Sequence, residues 1–96
     1  METELEAIEG AIFQKLVAIV DELGDDARAV GMDEVIPATG LIDSAGLMQL
    51  IAWYDERYKL ALRQEEITID NLGSVASMAR FVLRRRTPDT LSDAAP

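Results

Sequence analysis

The sequence predicts an all-α domain: a small antiparallel four-helix bundle of three main helices and a short third helix, with a long loop after the first helix. Three observations predict it. Apolar residues recur at helical spacing in three segments of the chain. Residues that favour helix caps stand before these segments. Finally, 96 residues, 49% of them apolar and 28% charged, are typical of one globular domain with a single core.

The first helix is predicted over residues 4–23. Thr3 and Glu6 have the spacing of a capping box, in which each side chain bonds the other residue's backbone N–H. Gly24 supplies the stop. The apolar residues in between recur every three or four positions, as one face of a helix requires: Leu5, Ile8, Ile12, Leu16, Ile19, Val20 and Leu23.

A long loop is predicted over residues 24–43. This segment has no sustained apolar period, and it contains Gly24, Gly31, Pro37 and Gly40. A loop of about 20 residues is uncommon in a compact domain and often has a function.

Three more helical elements follow the loop. The second helix is predicted from Ser44 to Tyr58, then a short extended link over 60–63 and a brief helical turn over 65–72. Ser74 should cap the last helix. The inner stripe of that helix consists of five apolar residues at helical spacing: Val75, Met78, Ala79, Val82 and Leu83.

The folded domain is expected to cover residues 1–86. Residues 87–96 contain two prolines and small polar residues, which predict a disordered C-terminal tail. The acidic start of the sequence is unlike a signal peptide, and no apolar stretch is long enough to span a bilayer. We therefore expect a cytoplasmic monomer.

The net charge of −9, from 18 acidic and 9 basic residues, argues against two classes of partner. Such a field repels phosphate backbones and anionic membrane surfaces, so we expect neither nucleic-acid binding nor membrane insertion. The run Arg84-Arg85-Arg86 has two interpretations: a nucleic-acid patch, or cations that complement the dipole in the last turn of a helix. We favour the second. An acidic domain instead suits docking to basic surfaces of partner proteins.

Catalytic chemistry is hard to build from this composition. The chain has no His and no Cys, which removes Ser-His-Asp and Cys-His arrangements and the usual zinc ligands. A Ser-Lys pair would have to use Lys15 or Lys59. Lys59 lies 15 positions from Ser44, roughly 22 Å along the same helix, and nothing in the sequence marks Lys15. The best candidate for a calcium loop begins at Asp26 but puts Arg28 where an oxygen ligand belongs. We therefore expect neither an enzyme nor a metal site.

Ser44 is the candidate functional residue. It follows Asp43 in the run GLIDSAGLMQLI, residues 40–51, at the start of the second helix. One interpretation is that Ser44 is only a helix N-cap. The other comes from a resemblance, because Gly-x-x-Asp-Ser followed by this helix resembles the phosphopantetheine-attachment motif of the acyl carrier protein family. The resemblance covers roughly residues 4–84, including the capped first helix, the long loop and the entry into the last helix.

The resemblance implies that a phosphopantetheinyl transferase attaches 4'-phosphopantetheine to Ser44, and that Asp43 contacts this transferase. The thiol of the arm would then carry an acyl or aminoacyl group as a thioester. The attached phosphate would lie beside free N–H groups at the positive end of a helix dipole, which favours an anion.

The motif differs from that of the fatty-acid carriers. Gly40 precedes Asp43 by three positions, as in D-alanyl carrier proteins and many freestanding carriers of specialised pathways, while Ala45 and Gln49 depart from the fatty-acid pattern. The resemblance therefore implies partners other than the housekeeping fatty-acid enzymes: an adenylating acyl or aminoacyl ligase, or the synthases of a polyketide or peptide pathway.

The second helix divides into two faces. The inner face should pack in the core: Leu47, Leu50, Ile51, Tyr54 and Tyr58. The outer face lies beside Ser44 and, as in carrier proteins, would contact partner enzymes: Ala45, Met48, Ala52, Asp55 and Glu56. For Asp55 and Glu56 the other interpretation is a solvated surface, paired with Lys59. Trp53 lies between the two faces and has no assigned role.

A second class of function stays open at this point. The same acidic helical domain could serve as a non-covalent adaptor or subunit without a prosthetic group, because one fold hosts many functions. The mass of the protein distinguishes the two classes, since only a carrier gains a phosphopantetheinyl group.

Overall fold

A computed structural model describes residues 3–94, with side chains up to Arg85. The described chain contains helices and no strand, which confirms the predicted all-α class. Two short 3-10 turns, at 36–39 and 64–66, accompany four α-helices: α1 Glu4–Glu22, α2 Ser44–Tyr58, α3 Ile69–Leu72 and α4 Val75–Ala94. α1 packs against both α2 and α4, and α3 packs against α4. None of the described helices combines the length and the apolar character needed to cross a bilayer.

The predicted capping box begins α1. Glu6 N donates to Thr3 Oγ1 at 3.1 Å, and Thr3 N donates to Glu6 Oε1 at 2.9 Å. The helix ends at Glu22, and Gly24 then takes a left-handed φ of +86°, which glycine adopts without steric cost. The buried face of α1 matches the predicted stripe in five residues: Ile8, Ile12, Leu16, Ile19 and Val20.

The segment between α1 and α2 is fastened to the start of α4. Ile36 N donates to Gly73 O at 2.7 Å, and Ala76 N donates to Met32 O at 2.8 Å. The second bond satisfies one of the backbone N–H groups that the first turn of a helix leaves without an internal partner. Four apolar residues of this segment are buried in the same core as the helices: Ala27, Val30, Ile36 and Ile42.

The inner face of α2 lies where the sequence predicts it. Leu50, Ile51 and Tyr54 are buried, while Leu47 and Tyr58 are half-buried against the core. The Tyr54 hydroxyl donates to Met78 O at 2.8 Å, so this polar atom is satisfied inside the core. Burial also raises the pKa of Tyr54 above its usual range, because the core disfavours the phenolate.

Two pieces replace the single helical turn predicted over 65–72. The extended link predicted after α2 is wrong, because Lys59 and Ala61 adopt left-handed φ values there. A 3-10 turn at 64–66 then precedes α3. Thr68 separates the two pieces because its side chain caps α3, accepting a bond from Asn71 N at 3.2 Å.

The predicted cap of α4 is present and buried. Ser77 N donates to Ser74 Oγ at 3.1 Å, and Ser74 N donates to Ser77 Oγ at 3.0 Å. Beyond the predicted stripe, Ala76 and Phe81 are also buried. The helix α4 is covered on several sides, because α1 and α3 pack against it and the first loop bonds its first turn.

The helix α4 is longer than the sequence predicts. It continues to Ala94, so Arg84 and Arg85 do not lie in its last turn, and the dipole interpretation of the arginine run is wrong for them. Instead Arg85 bonds Glu66 and the Leu60 carbonyl, and both arginines lie over the Phe81 ring. The backbone of the tail predicted to be disordered over 87–96 is helical as far as Ala94, and residues 95–96 lie outside the described part of the chain.

Candidate functional site

Asp43, not Ser44, caps α2. The Asp43 backbone is extended, with φ −90° and ψ 179°, and Gly46 N donates to its Oδ1 at 2.7 Å. Ser44 is the first helical residue. The interpretation of Ser44 as the N-cap is therefore wrong. Aspartate caps a helix as well as serine does, and in an Asp-Ser pair the residue that keeps the extended backbone takes that role.

The Ser44 hydroxyl does not take part in the capping of α2. Ser44 is exposed, and its hydroxyl forms no hydrogen bond with any described residue. The backbone N–H groups of Ser44 and Ala45 likewise donate to no described residue. The start of α2 thus presents an accessible nucleophilic oxygen and two N–H donors to solvent, at the positive end of the helix dipole.

The residues before Asp43 hold it in place. Gly40 ends the 3-10 turn with a left-handed φ of +74°. The Thr39 hydroxyl donates to Ile36 O at 2.7 Å and accepts from Leu41 N at 3.2 Å. Ile42 is buried in the core. The turn that ends at Gly40 and the buried side chain of Ile42 therefore fix the position of the Asp-Ser motif.

Gly46 allows close packing around the first turn of α2. It is buried, and a Cβ at this position would lie 2.8 Å from Ile42 Cγ1 and 3.3 Å from Ile19 Cγ2. A glycine inside a helix costs about 1 kcal/mol relative to alanine, so a packing reason is expected for it. Here the reason is the close packing of Ile42, and of Ile19 from α1, against the first turn of α2. This role is not predicted above, although a glycine within the first turn of a helix is itself the signal.

The outer face of α2 is exposed at four of its five predicted positions: Ala45, Met48, Ala52 and Glu56. Met48 is 55% exposed, which makes it the most accessible large apolar residue of this helix. Asp55 differs, because it is half-buried and its Oδ1 accepts a bond from Leu62 N at 3.3 Å. Asp55 therefore supports the segment after α2. No ion pair joins Lys59 to either acid within the described chain.

Trp53 belongs to an aromatic cluster at the end of α2. Its ring is edge-on to that of Tyr58 at a centroid distance of 6.2 Å, and Tyr58 is edge-on to Tyr54 at 5.8 Å. Such edge-to-face pairs stabilise beyond the area that they bury. Trp53 lines an open groove together with Glu56, Arg57 and Lys59.

A small apolar cavity lies on the other side of α2. Its volume is about 120 Å³, and its lining comes from α2, the first loop, α3 and the segment before α3: Pro37, Leu47, Ile51, Ile67, Thr68, Ile69, Leu72 and Gly73. Ile67 and Ile69 are exposed although they are large and apolar, with Ile69 at 64%. No local sequence pattern predicts this cavity, because its walls come from residues up to 36 positions apart.

The acidic residues do not form a metal site in the described chain, where no group of three or more potential ligands is close enough to hold a metal ion. Asp26, the first position of the calcium-loop candidate, is paired with Arg28 at 2.9 Å. The hydrogen bonds from Arg28 lower the pKa of Asp26 to about 2. Its carboxylate is thus engaged by a cation of the protein itself.

No family model, curated protein or solved structure matches this chain. Its function is therefore inferred from the residues and their geometry. The features that converge at the start of α2 are an accessible hydroxyl on Ser44, a cap supplied by Asp43 and an exposed, partly apolar helix face beyond them.

Proposed function

We propose that this protein is a phosphopantetheinylated carrier, which holds an acyl or aminoacyl group as a thioester and presents it to partner biosynthetic enzymes. Ser44 is the attachment residue in this proposal. One observation carries it: Ser44 lies in an Asp-Ser motif at the start of α2, yet its hydroxyl is exposed and unpaired while Asp43 does the capping.

The residues around Ser44 fit a phosphodiester. Ser44 and Ala45 offer two backbone N–H groups that no described residue uses, and the α2 dipole favours negative charge at this end. The negative charge of Asp43 is held at the Gly46 N–H by the capping bond, which leaves the N–H groups of Ser44 and Ala45 for the phosphate. The bound arm would supply a thiol, which a chain without cysteine cannot provide.

The exposed face of α2 is the proposed partner surface. Ala45 and Ala52 are small enough to let another protein approach the helix closely, and Met48 is an adaptable apolar contact. Glu56 adds negative charge suited to a basic partner, in a chain whose net charge is already −9. The transferase and the ligase or synthase that loads the arm would use this surface in turn.

The apolar cavity would receive the end of a carried group. It begins at Leu47, one turn after Ser44, and its volume of about 120 Å³ is slightly below the roughly 150 Å³ of a cavity that holds benzene. This space is about the size of a compact acyl or aminoacyl side chain. The antiparallel four-helix bundle predicted from the sequence is the arrangement that we propose around it, supported by the packing of α1 on α2 and α4.

The test is incubation of wild-type protein and Ser44→Ala with coenzyme A and a broad-specificity phosphopantetheinyl transferase, followed by intact-mass measurement. We expect wild type to gain one phosphopantetheinyl group and Ser44→Ala to gain none. Ser74 and Ser77 are buried and bonded to each other, so they cannot substitute. Equal modification of both proteins would overturn the assignment to Ser44.

Failure of wild type to gain mass, both here and when isolated from its native host, would overturn the carrier proposal. It would leave the non-covalent adaptor as the function of this domain. Loss of folding should not confound this test, because the Ser44 side chain is exposed and forms no described hydrogen bond.

A further inference from the structure

The segment that joins α2 to α3, residues 59–68, has an unusual backbone. Lys59 and Ala61 both adopt left-handed φ values, +52° and +50°, which residues other than glycine rarely adopt. Leu60 lies between them and is buried. Such a backbone persists only where surrounding contacts hold it. We call this segment the connector.

Arg85 of α4 provides contacts that hold the connector. Its Nη2 donates to Leu60 O at 2.5 Å, and its Nη1 donates to Glu66 Oε2 at 2.9 Å. One planar guanidinium thus joins two points of the connector that are six residues apart, which a lysine cannot do. The guanidinium also lies 5.2 Å from the centre of the Phe81 ring.

The Glu66 carboxylate is held in position for its bond to Arg85. Its second oxygen, Oε1, accepts a bond from Arg63 N at 2.9 Å, and its side chain is only 17% exposed. The bond from the Arg63 backbone, with the nearby Arg85, holds the pKa of Glu66 below its usual range. Glu66 therefore stays ionised at neutral pH and keeps its pair with Arg85.

The connector and α3 form one wall of the apolar cavity. Ile67 and Thr68 follow Glu66 directly, and Ile69 and Leu72 belong to α3. With only four residues, α3 is too short to be stable alone, so its position depends on contacts from elsewhere.

We propose that Arg85 is a positioning residue that latches the connector and α3 over the cavity, so that release of this latch opens the cavity wall. α2 forms the fixed wall, because Leu47 and Ile51 lie on a helix packed against α1. If the protein is a carrier, as proposed above, the latch controls whether the carried group lies in the cavity or is released toward a partner.

The test is amide hydrogen exchange on the unmodified protein, comparing wild type with Arg85→Gln. We expect exchange to be about tenfold faster or more at Ile67, Leu72 and Gly73, the size expected when hydrogen bonds from a charged group are lost. Amides in the middle of α1 should keep their wild-type rates. Arg80→Gln is the matched control, because Arg80 is exposed on the same helix and has no described contact.

Unchanged exchange at these amides in Arg85→Gln would overturn the latch, and so would an equal rise in Arg80→Gln. A second variant, Glu66→Gln, keeps Arg85 and its bond to Leu60 while removing the ion pair, and it serves if Arg85→Gln does not fold. In Glu66→Gln we expect a smaller rise, confined to Ile67 and α3; a uniform rise over all helices would overturn the proposal. The exchange is measured on protein without a prosthetic group, so its outcome does not depend on whether Ser44 is an attachment site.

Discussion

The starts of α2 and α4 both carry a serine, and the two serines have opposite environments. Ser74 is buried, caps α4 and exchanges hydrogen bonds with Ser77. Ser44 is exposed and bonds no described residue, because Asp43 does the capping. A serine at a helix start is structural where it must satisfy the helix, and chemically available where a neighbour does so.

The surroundings explain why the two helix starts differ. At α4 the first loop lies against the helix, with Met32 O bonded to Ala76 N and Gly73 O bonded to Ile36 N. Polar groups buried there must find partners within the protein, because water cannot reach them. At α2 the first turn faces solvent, so the N–H groups of Ser44 and Ala45 can stay unpaired within the chain at little cost.

The largest expected effect of this difference is on stability. Ser74→Ala should lower the free energy of unfolding by about 1–3 kcal/mol, since it leaves the buried Ser77 N–H without its acceptor and removes the bond between the two hydroxyls. Ser44→Ala should change the free energy of unfolding by less than about 0.5 kcal/mol, as for other surface substitutions. Urea denaturation followed by circular dichroism measures both. Equal losses in the two variants would contradict the comparison.

Asp43 allows a finer test, because capping and charge can be separated at this position. Asp43→Ala should lose about 0.5–2 kcal/mol of stability, since Gly46 N loses its acceptor. Asp43→Asn should keep most of that stability, because asparagine caps helices as well as aspartate does. The free energy of unfolding from urea denaturation measures this.

The rate of phosphopantetheine transfer to the same two variants separates the remaining roles of Asp43. If Asp43 contacts the transferase through its charge, transfer to Asp43→Asn should be slow although the fold is intact. Transfer at the wild-type rate to Asp43→Asn, together with slow transfer to Asp43→Ala, would instead assign Asp43 to capping alone.

The sequence predicts those features that depend on local patterns. The capping box of α1, the bounds of α2 and the burial of Leu50, Ile51 and Tyr54 all follow from residues within one or two helical turns. An Asp-Ser pair, however, contains two good caps, and only the backbone decides which of them is used.

Features that depend on distant residues could not be predicted in this way. Arg85 contacts groups 19 and 25 positions away, and no local pattern encodes such pairs. The same holds for the cavity and for Asp55, whose bond to Leu62 crosses seven positions. Helical spacing predicts Asp55 on the outer face of α2. In the fold, the connector brings Leu62 N to the Asp55 carboxylate, so that Asp55 is half-buried.

The smallest expected effect concerns the surface beside Ser44. Because Asp55 supports the connector, Glu56 is the acid of the outer face that can be changed without a described structural contact. Glu56→Lys should slow association with a basic transferase by about three- to tenfold at low ionic strength. The matched control is Glu22→Lys, an exposed position at the end of α1 with the same change of charge.

The salt dependence of these rates decides whether the effect of Glu56 is local. The screening length falls from about 30 Å at 0.01 M salt to about 8 Å at 0.15 M, so a long-range charge effect should shrink as salt is added. At low salt both variants should be slower than wild type, because both change the net charge. At 0.15 M Glu22→Lys should return to the wild-type rate, whereas Glu56→Lys should stay slower if Glu56 touches the partner. Identical curves for the two variants would mean that only net charge matters, and that the outer face of α2 is not the docking surface.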